Sequence, residues 1–141
     1  MILIGNGIVI TQDINNPIIN NGAIAIKENL IIEVGDYEIL KAKYKDYEFI
    51  DAKGKVIMPG LINTHHHIYS AFARGMDAKE EPAENFNQIL ERLWWKLDKK
   101  LTFEDTKYSA YTTYIDCIKN GVTTVFDHHA SPMSITGSLF T

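Results

Sequence analysis

The sequence is poor in cysteine and has no long apolar run. Cys117 is the single cysteine, which excludes an internal disulfide, and its apolar neighbours in a predicted helix indicate a buried thiol in a cytoplasmic protein. The apolar runs are too short for a membrane span. Met1 leads directly into a strand-like segment without a preceding basic stretch, so we expect neither a signal peptide nor a membrane-spanning segment.

The sequence also lacks an excess of positive charge. Its 14 Lys and Arg residues stand against 18 Asp and Glu residues, which gives a net charge of -4, and charges of both signs are interspersed. A protein that binds nucleic acid usually presents a basic stripe that neutralises phosphates, so we do not expect nucleic acid as a partner. The apolar share of 45% is typical of a globular protein.

Residues 1–58 have the pattern of a small β-rich domain. Residues 2–10 are apolar around a Gly5-Asn6-Gly7 turn signal, residues 23–26 and 30–34 predict a hairpin, and two short strands are predicted at 47–51 and 55–58. Closely spaced short strands favour a small sheet or half of a sandwich.

Residues 59–141 begin a different pattern at Pro59-Gly60. A strand at 61–64 ends in three histidines, and a helix is predicted from 86 to 101 with Asn85 and Gln88 as its N-terminal cap. A second helix begins at Thr102, with Asp105 completing a capping box, and ends at Asn120-Gly121, before a buried strand at 122–126.

The apolar face of this second helix is predicted to carry Tyr108, Tyr111, Tyr114, Ile115 and Ile118. We also expect Trp95 and Tyr108 to be packing residues. The order strand, helices, strand predicts an α/β fold with a parallel sheet.

The histidine triplet is the strongest functional signal. Alternate side chains of a strand share one face, so His65 and His67 project together while His66 projects to the other side. Imidazole is a favoured ligand of Zn, Fe, Ni or Mn, and two imidazoles alone bind weakly. The alternative is a polar loop without a ligand role. The fusion of the triplet to an apolar strand favours a metal site.

Two further features follow the predicted strands. His128 and His129 come after the second strand, where they would contact substrate, carry a proton or add a ligand; alternatively they belong to a loop near Pro132. Arg74 would bind an anionic group or form a salt bridge with the acidic loop at 76–84, and we favour the salt bridge slightly.

Three segments, 50–67, 101–105 and 120–124, resemble the amidohydrolase superfamily. Within it, residues 65–76, 93–95 and 126–132 are similar to the aminohydrolase branch called SsnA, which is related to chlorohydrolases and to guanine and cytosine deaminases. The resemblance implies the start of a metal-dependent (β/α)8 barrel, or TIM barrel, preceded by a small β-sandwich-like domain. The domains would be residues 1–58 and 59–141.

The resemblance also implies the chemistry. His65 and His67 would hold a divalent metal, Zn or else Fe, Ni or Mn, that activates water to hydrolyse a non-peptide C–N bond of a small heterocycle or amidine. The protein would then be a hydrolase of the cytoplasm with a small-molecule substrate. In the superfamily the remaining metal ligands and the proton-transfer residues come from later strands. We therefore assign no catalytic residue within this chain.

The length qualifies this expectation. A whole barrel takes about 250 residues, whereas two barrel strands can be counted here, so the chain is expected to be the N-terminal fragment of a longer enzyme. Residues 135–141 have the pattern of an approach to another helix. Unpaired strand edges would favour self-association as a homo-oligomer. The alternatives are a catalytically inactive fragment or binding module and, less favoured because of the strand-rich first domain, a phosphoesterase of the polymerase and histidinol phosphatase type.

Overall fold

The computed structural model describes residues 1–76, 79 and 81–138. The chain forms two compact units, Met1–Pro59 and Gly60–Thr141, each with its own sheet. Parts of the predicted acidic loop at 76–84 and of the predicted helix approach at 135–141 lie outside the described residues. No helix in the described part of the chain is long and apolar enough to cross a membrane.

The first unit is a five-stranded sheet with one helix. Its elements in chain order are β1 (Ile2–Ile10), β2 (Ile18–Lys27), β3 (Leu30–Asp36), α1 (Tyr37–Lys43), β4 (Glu48–Asp51) and β5 (Val56–Ile57). Strands β2 and β3 form the predicted hairpin, and the two short strands predicted at 47–51 and 55–58 are β4 and β5, so these predictions are confirmed. The sheet order is β3-β2-β1-β4, and β5 also pairs with β1. Strand β1 is antiparallel to β2 and parallel to β4 and β5.

The predicted turn at Gly5-Asn6-Gly7 is wrong, because β1 runs through these residues with an irregular register against β2. Close packing explains the glycine at position 7, since a Cβ there would lie 2.6 Å from the carbonyl oxygen of Lys55. Helix α1 was not predicted. Its N-terminal cap is Asp36, whose carboxylate accepts hydrogen bonds from two backbone N–H groups of the first turn.

The core of the first unit lies between the sheet and α1. Alternate residues of β1 are buried, and so are Ala23 and Ala25 of β2, as expected for a sheet with one covered face. Leu3, Ala23 and Ala25 pack there against Tyr37 and Leu40 of α1.

The second unit has two parallel strands and several helices. The predicted order of strand, helices, strand is confirmed, and so is the Asn85 cap, whose Oδ1 accepts a hydrogen bond from the N–H of Gln88 at 3.0 Å. The first helical segment ends at Asp98 rather than at Leu101 and includes a π-helical stretch. The elements are β6 (Leu61–His66), a 3-10 helix (Ile68–Ala73), α2 (Phe86–Ile89), a π helix (Leu90–Trp94), α3 (Trp95–Asp98), α4 (Phe103–Lys119) and β7 (Val122–Asp127).

Both ends of α4 are as predicted. The Thr102 N–H donates to Asp105 Oδ2 at 2.8 Å and the Asp105 N–H donates to Thr102 Oγ1 at 3.3 Å, which completes the capping box. The helix ends at Lys119, Asn120 is the C-terminal cap, and Gly121 follows with a φ of 71°.

The apolar face of α4 is not the face that the second unit buries. The aromatic and isoleucine side chains of that face are exposed, and the helix instead buries Thr106, Ser109, Ala110 and Thr113. These small side chains let α4 lie close to the 3-10 helix, which it contacts. The predicted burial of β7 is also wrong, since Phe126 is 59% exposed, and Trp95 and Tyr108 are about half exposed rather than packed. Cys117 is a free thiol, partly rather than fully buried.

Candidate metal centre

The candidate site lies where β6 and β7 end. His66 is paired with Asp127 in the parallel sheet, and the His128 N–H donates to the His66 carbonyl oxygen at 2.8 Å. Because parallel strands end at the same edge of a sheet, this register brings residues 65–67 next to residues 127–129.

His65 and His67 converge as the strand period predicts. Their Nε2 atoms are 3.2 Å apart. His67 Nδ1 lies 2.8 Å from the carbonyl oxygen of His128. A carbonyl oxygen only accepts, so Nδ1 carries the proton in this hydrogen bond, and a neutral His67 ring then has its lone pair on Nε2.

This geometry fits a bound metal. Zinc–imidazole bonds of about 2.0–2.1 Å at a tetrahedral angle place two ligand nitrogens about 3.3 Å apart, close to the 3.2 Å between His65 and His67. The chemistry of two imidazole nitrogens also suits a divalent transition metal. Within residues 1–76, 79 and 81–138, no group of three or more His, Cys, Asp or Glu side chains is placed to hold a metal ion. The pair is therefore a partial ligand set.

The structure separates the two later histidines, which the sequence pattern left undecided. The His128 ring stacks on His65, with centroids 4.2 Å apart and planes 22° apart. His129 has other neighbours: its Nδ1 is 3.3 Å from Asp127 Oδ2 and its Nε2 is 3.0 Å from Ser138 Oγ. The His128 ring thus lies against the candidate ligand pair, whereas the His129 ring contacts the carboxylate of Asp127.

Asp127 also lies at the candidate site, although no pattern in the sequence singled it out. Its Oδ1 accepts a hydrogen bond from the Ile68 N–H at 2.8 Å, directly after His67, while Oδ2 faces His129. The one available signal was its position at the end of a predicted strand, before two histidines.

The order Asp127, His129, Ser138 has the connectivity of a catalytic triad, in which an imidazole takes the proton of a serine hydroxyl. Here the Ser138 hydroxyl donates to the Ile135 carbonyl oxygen at 3.1 Å. Its Oγ also lies 3.0 Å from His129 Nε2, and Ser138 is 4% exposed. These contacts hold the imidazole in place, and they do not direct the serine proton to it.

A cavity of about 450 Å³ adjoins the histidine pair. Its wall includes Trp94 of the π helix, whose ring centroid is 5.8 Å from that of His67, and the side chain of Arg74. The Arg74 guanidinium forms an ion pair with Asp116 of α4, with Nη1 and Oδ2 3.6 Å apart. The structure thus gives Arg74 a partner outside the acidic loop that the sequence analysis favoured.

Tyr69 is buried beside both histidine groups. Its ring stands at 87° to His67 and at 69° to His129, with centroids 6.3 and 5.6 Å away. Burial raises the pKa of the Tyr69 hydroxyl, and the nearby carboxylates of Asp98 and Asp127 raise it further. The phenol is therefore neutral near pH 7 and adds no negative charge next to the histidines.

Sequence comparison links this site to known enzymes. The chain is 36% identical over 128 residues to a 5-methylthioadenosine/S-adenosylhomocysteine deaminase of Halothermothrix orenii. This match covers 89% of the chain and 29% of that relative. It is 34% identical over 126 residues to a 5'-deoxyadenosine deaminase of Methanosarcina mazei, covering 89% of the chain and 27% of that relative. The chain thus spans less than a third of the length of these relatives.

Solved structures agree with the sequence relatives. The atrazine chlorohydrolase TrzN of Arthrobacter aurescens TC1, complexed with zinc and atraton, matches 99% of the chain and 32% of its own length, with a TM-score of 0.76 and 26% identity. Guanine deaminase of E. coli shares the fold, with a TM-score of 0.72 at 21% identity over 92% of the chain and 31% of its own.

The sequence profile of the Amidohydrolase family matches residues 56–137, which is more than half of the chain and includes all five histidines. The resemblance to that superfamily in the sequence is confirmed, and the chain belongs to the amidohydrolase family.

Proposed function

We propose that this chain forms part of the active site of a metal-dependent hydrolase that cleaves non-peptide C–N bonds. The observation that carries the proposal is the 3.2 Å approach of the His65 and His67 Nε2 atoms at the carboxyl end of β6. In a family of hydrolases, a pair with this spacing at a strand end is best explained as two metal ligands.

The proposed architecture follows from the order of the elements. Residues 1–58 would be a small β domain that precedes the catalytic domain, and residues 59–141 would open a (β/α)8 barrel with β6 and β7 as its first two strands. In such barrels the active site lies at the carboxyl ends of the strands. His65, His67 and His128 all lie at those ends.

Each residue of the site has a proposed task. His65 and His67 bind a divalent cation, Zn or else Fe, Ni or Mn, while the His128 carbonyl orients the His67 ring through Nδ1. A divalent cation at such a site supplies Lewis acidity, which makes water a nucleophile near neutral pH. The ring of His128, which stacks on His65, would contact substrate, and Trp94 in the cavity wall would offer an aromatic face to a planar ligand. No residue of the chain is assigned a proton-transfer role.

The proposed substrate is a small nitrogen heterocycle that loses an amino group. The relatives are named as deaminases of adenosine derivatives and of guanine, and the zinc-complexed neighbour as an atrazine chlorohydrolase. The cavity of about 450 Å³ beside the histidines is of the size that small-molecule sites have.

A second candidate is a module that binds metal without catalysis of its own. It is favoured by the partial ligand set, since the described residues bring no third ligand to His65 and His67. Ammonia release by the chain from guanine or 5'-deoxyadenosine would exclude the module. Metal binding without turnover agrees with both candidates, because the leading proposal gives this chain only part of the active site.

Metal binding tests the proposal directly. Zinc titration with a competing chromophoric chelator should give a dissociation constant of about micromolar or weaker, because two ligands hold zinc loosely. His65→Ala and His67→Ala should each abolish the binding. His66→Ala is the matched control, because side chains alternate along a strand and His66 is expected on the opposite face from His65 and His67. This variant should bind zinc like the parent chain. Equal binding by all three variants would contradict the proposed site.

A further inference from the structure

We infer that Asp127 is a positioning residue that holds His67 in the orientation needed to bind metal, an inference that rests on the proposed function. The contact behind it is the bond from the Ile68 N–H to Asp127 Oδ1, at 2.8 Å. Ile68 directly follows His67, so this bond fixes the backbone on which the imidazole is carried.

The second carboxylate oxygen of Asp127 contacts His129, just beyond the end of β7. Oδ2 lies 3.3 Å from His129 Nδ1, and the opposite ring nitrogen of His129 is 3.0 Å from Ser138 Oγ. Ser138 is 4% exposed, so the far end of this chain of contacts is anchored in a buried position. The carboxylate therefore ties the residue after His67 to the residue after His128.

The hydrogen bond that orients the His67 ring lies between these two contacts of Asp127. His67 Nδ1 donates to the His128 carbonyl oxygen at 2.8 Å, and the His128 N–H donates to the His66 carbonyl oxygen at the same distance. The strand pairing alone places the His128 backbone beside His66. Because β6 ends at His66, the backbone of His67 lies beyond the hydrogen bonds of the sheet. The hydrogen bond from the Ile68 N–H to Asp127 connects the two chain segments beyond that point.

The consequence is a defined tautomer. With Nδ1 protonated and bonded to the His128 carbonyl, the Nε2 lone pair of His67 is presented toward His65. Without the Asp127 carboxylate, the Ile68 N–H would lose its acceptor, the turn after β6 would loosen, and His67 would exchange between tautomers and rotamers. Partners that orient a ligand in this way typically contribute about 10- to 100-fold to metal affinity.

Three variants of the chain test the inference. Asp127→Ala removes both contacts, whereas Asp127→Asn keeps an oxygen that can accept from the Ile68 N–H. Asp116→Ala is the matched control, because Asp116 is a carboxylate of the same unit that pairs with Arg74 on α4. The readouts are the 15N chemical shifts of the His67 ring in metal-free protein, Zn²⁺ affinity by chelator competition, and urea denaturation to verify folding.

Asp127→Ala should lose the protonated-Nδ1 signature of His67 and bind zinc about 10- to 100-fold more weakly, while Asp127→Asn should retain the signature and most of the affinity. Asp116→Ala should match the parent chain. A folded Asp127→Ala variant with parental ring shifts would overturn the inference, and so would an Asp127→Asn variant that loses the signature as fully as Asp127→Ala.

Two further measurements complete the test. If Asp127→Ala does not fold, the scalar coupling across the hydrogen bond between the Ile68 nitrogen and the Asp127 carboxyl carbon decides the matter, and its absence would overturn the inference. Failure of the proposed function is separate: if His65→Ala leaves zinc binding unchanged, the metal site is refuted. The ring shifts of metal-free His67 would still report on Asp127.

Discussion

Replacing Gly60 by alanine tests the contact that joins the start of β6 to β7. A Cβ at position 60 would lie 2.2 Å from both Cγ2 and Oγ1 of Thr123 and 2.8 Å from its Cβ. Rotation of the Thr123 side chain relieves the first two contacts but not the third, so the backbone of one strand has to move. The φ of Gly60 is outside the left-handed region, which makes steric overlap the main cost.

The expected loss of stability is about 2–3 kcal/mol, at the upper end of what overpacking costs. Both tryptophans, Trp94 and Trp95, lie in the second unit, so tryptophan fluorescence during urea denaturation follows that unit. Thr123→Gly removes the obstructing side chain. In the double variant, Gly60→Ala should therefore cost much less than it does alone, which a double-mutant cycle measures as a coupling energy.

Gly75→Ala is the control for strain without overlap. Gly75 has a φ of 78° and open space around its missing Cβ, so the alanine variant should be destabilised by about 1–2 kcal/mol and should not be rescued by Thr123→Gly. Steric overlap is refuted as the cause if the free energy of unfolding of Gly60→Ala lies within about 0.5 kcal/mol of that of the parent chain. It is also refuted if Thr123→Gly fails to reduce the cost of the alanine.

Three further predictions concern stability. Leu3→Ala should lower the free energy of unfolding of the first unit by about 2–5 kcal/mol, because Leu3 is 2% exposed in its core. Circular dichroism during denaturation measures the loss, and a loss below about 1 kcal/mol would contradict the prediction. Ser109→Ala should be neutral or stabilising by up to about 1 kcal/mol, because the buried Ser109 hydroxyl has no hydrogen-bond partner among the described residues; a clear loss would reveal one. The hydrogen bonds from Thr102 lower the pKa of the Asp105 carboxyl below its ordinary 3.8. The ionised carboxylate therefore stabilises α4 fully above pH 3.8, and this stabilisation is lost as the pH falls through the lowered pKa. The difference in urea midpoint between Asp105→Asn and the parent chain should accordingly shrink from pH 7 to pH 2, and a constant difference would exclude the ionised cap.

Local signals in the sequence predicted most of the elements. The Thr102–Asp105 capping box, the Asn85 cap and the stop at Asn120-Gly121 each depend on a few neighbouring residues, so they could be recognised without knowledge of the fold. Helix α1 had the same kind of signal in Asp36. It was missed because seven residues are too few to show an apolar period.

Burial could not be predicted in the same way. The period of α4 separates two faces, but the face that is buried depends on the neighbouring element. The 3-10 helix lies against α4, which buries the small residues Thr106 and Ser109 and leaves Tyr111 and Ile115 exposed. A sequence window around α4 contains no information about that neighbour.

The candidate site shows the same limit. The convergence of His65 and His67 follows from the strand period and was predicted. The role of Asp127 depends on the register between β6 and β7, which pairs His66 with Asp127 across 61 residues of sequence. No spacing rule within one strand gives that pairing.

The hydrogen bond between His67 Nδ1 and the His128 carbonyl has a consequence for the order of folding. The two residues are 61 positions apart, so the tautomer that we propose binds metal is not fixed when residue 67 is synthesised. It becomes fixed only when β7 pairs with β6. By thermodynamic linkage, a cation that binds the paired form more tightly than the unpaired form also stabilises the pairing. Free metal present during synthesis would therefore act on the assembly of the two strands.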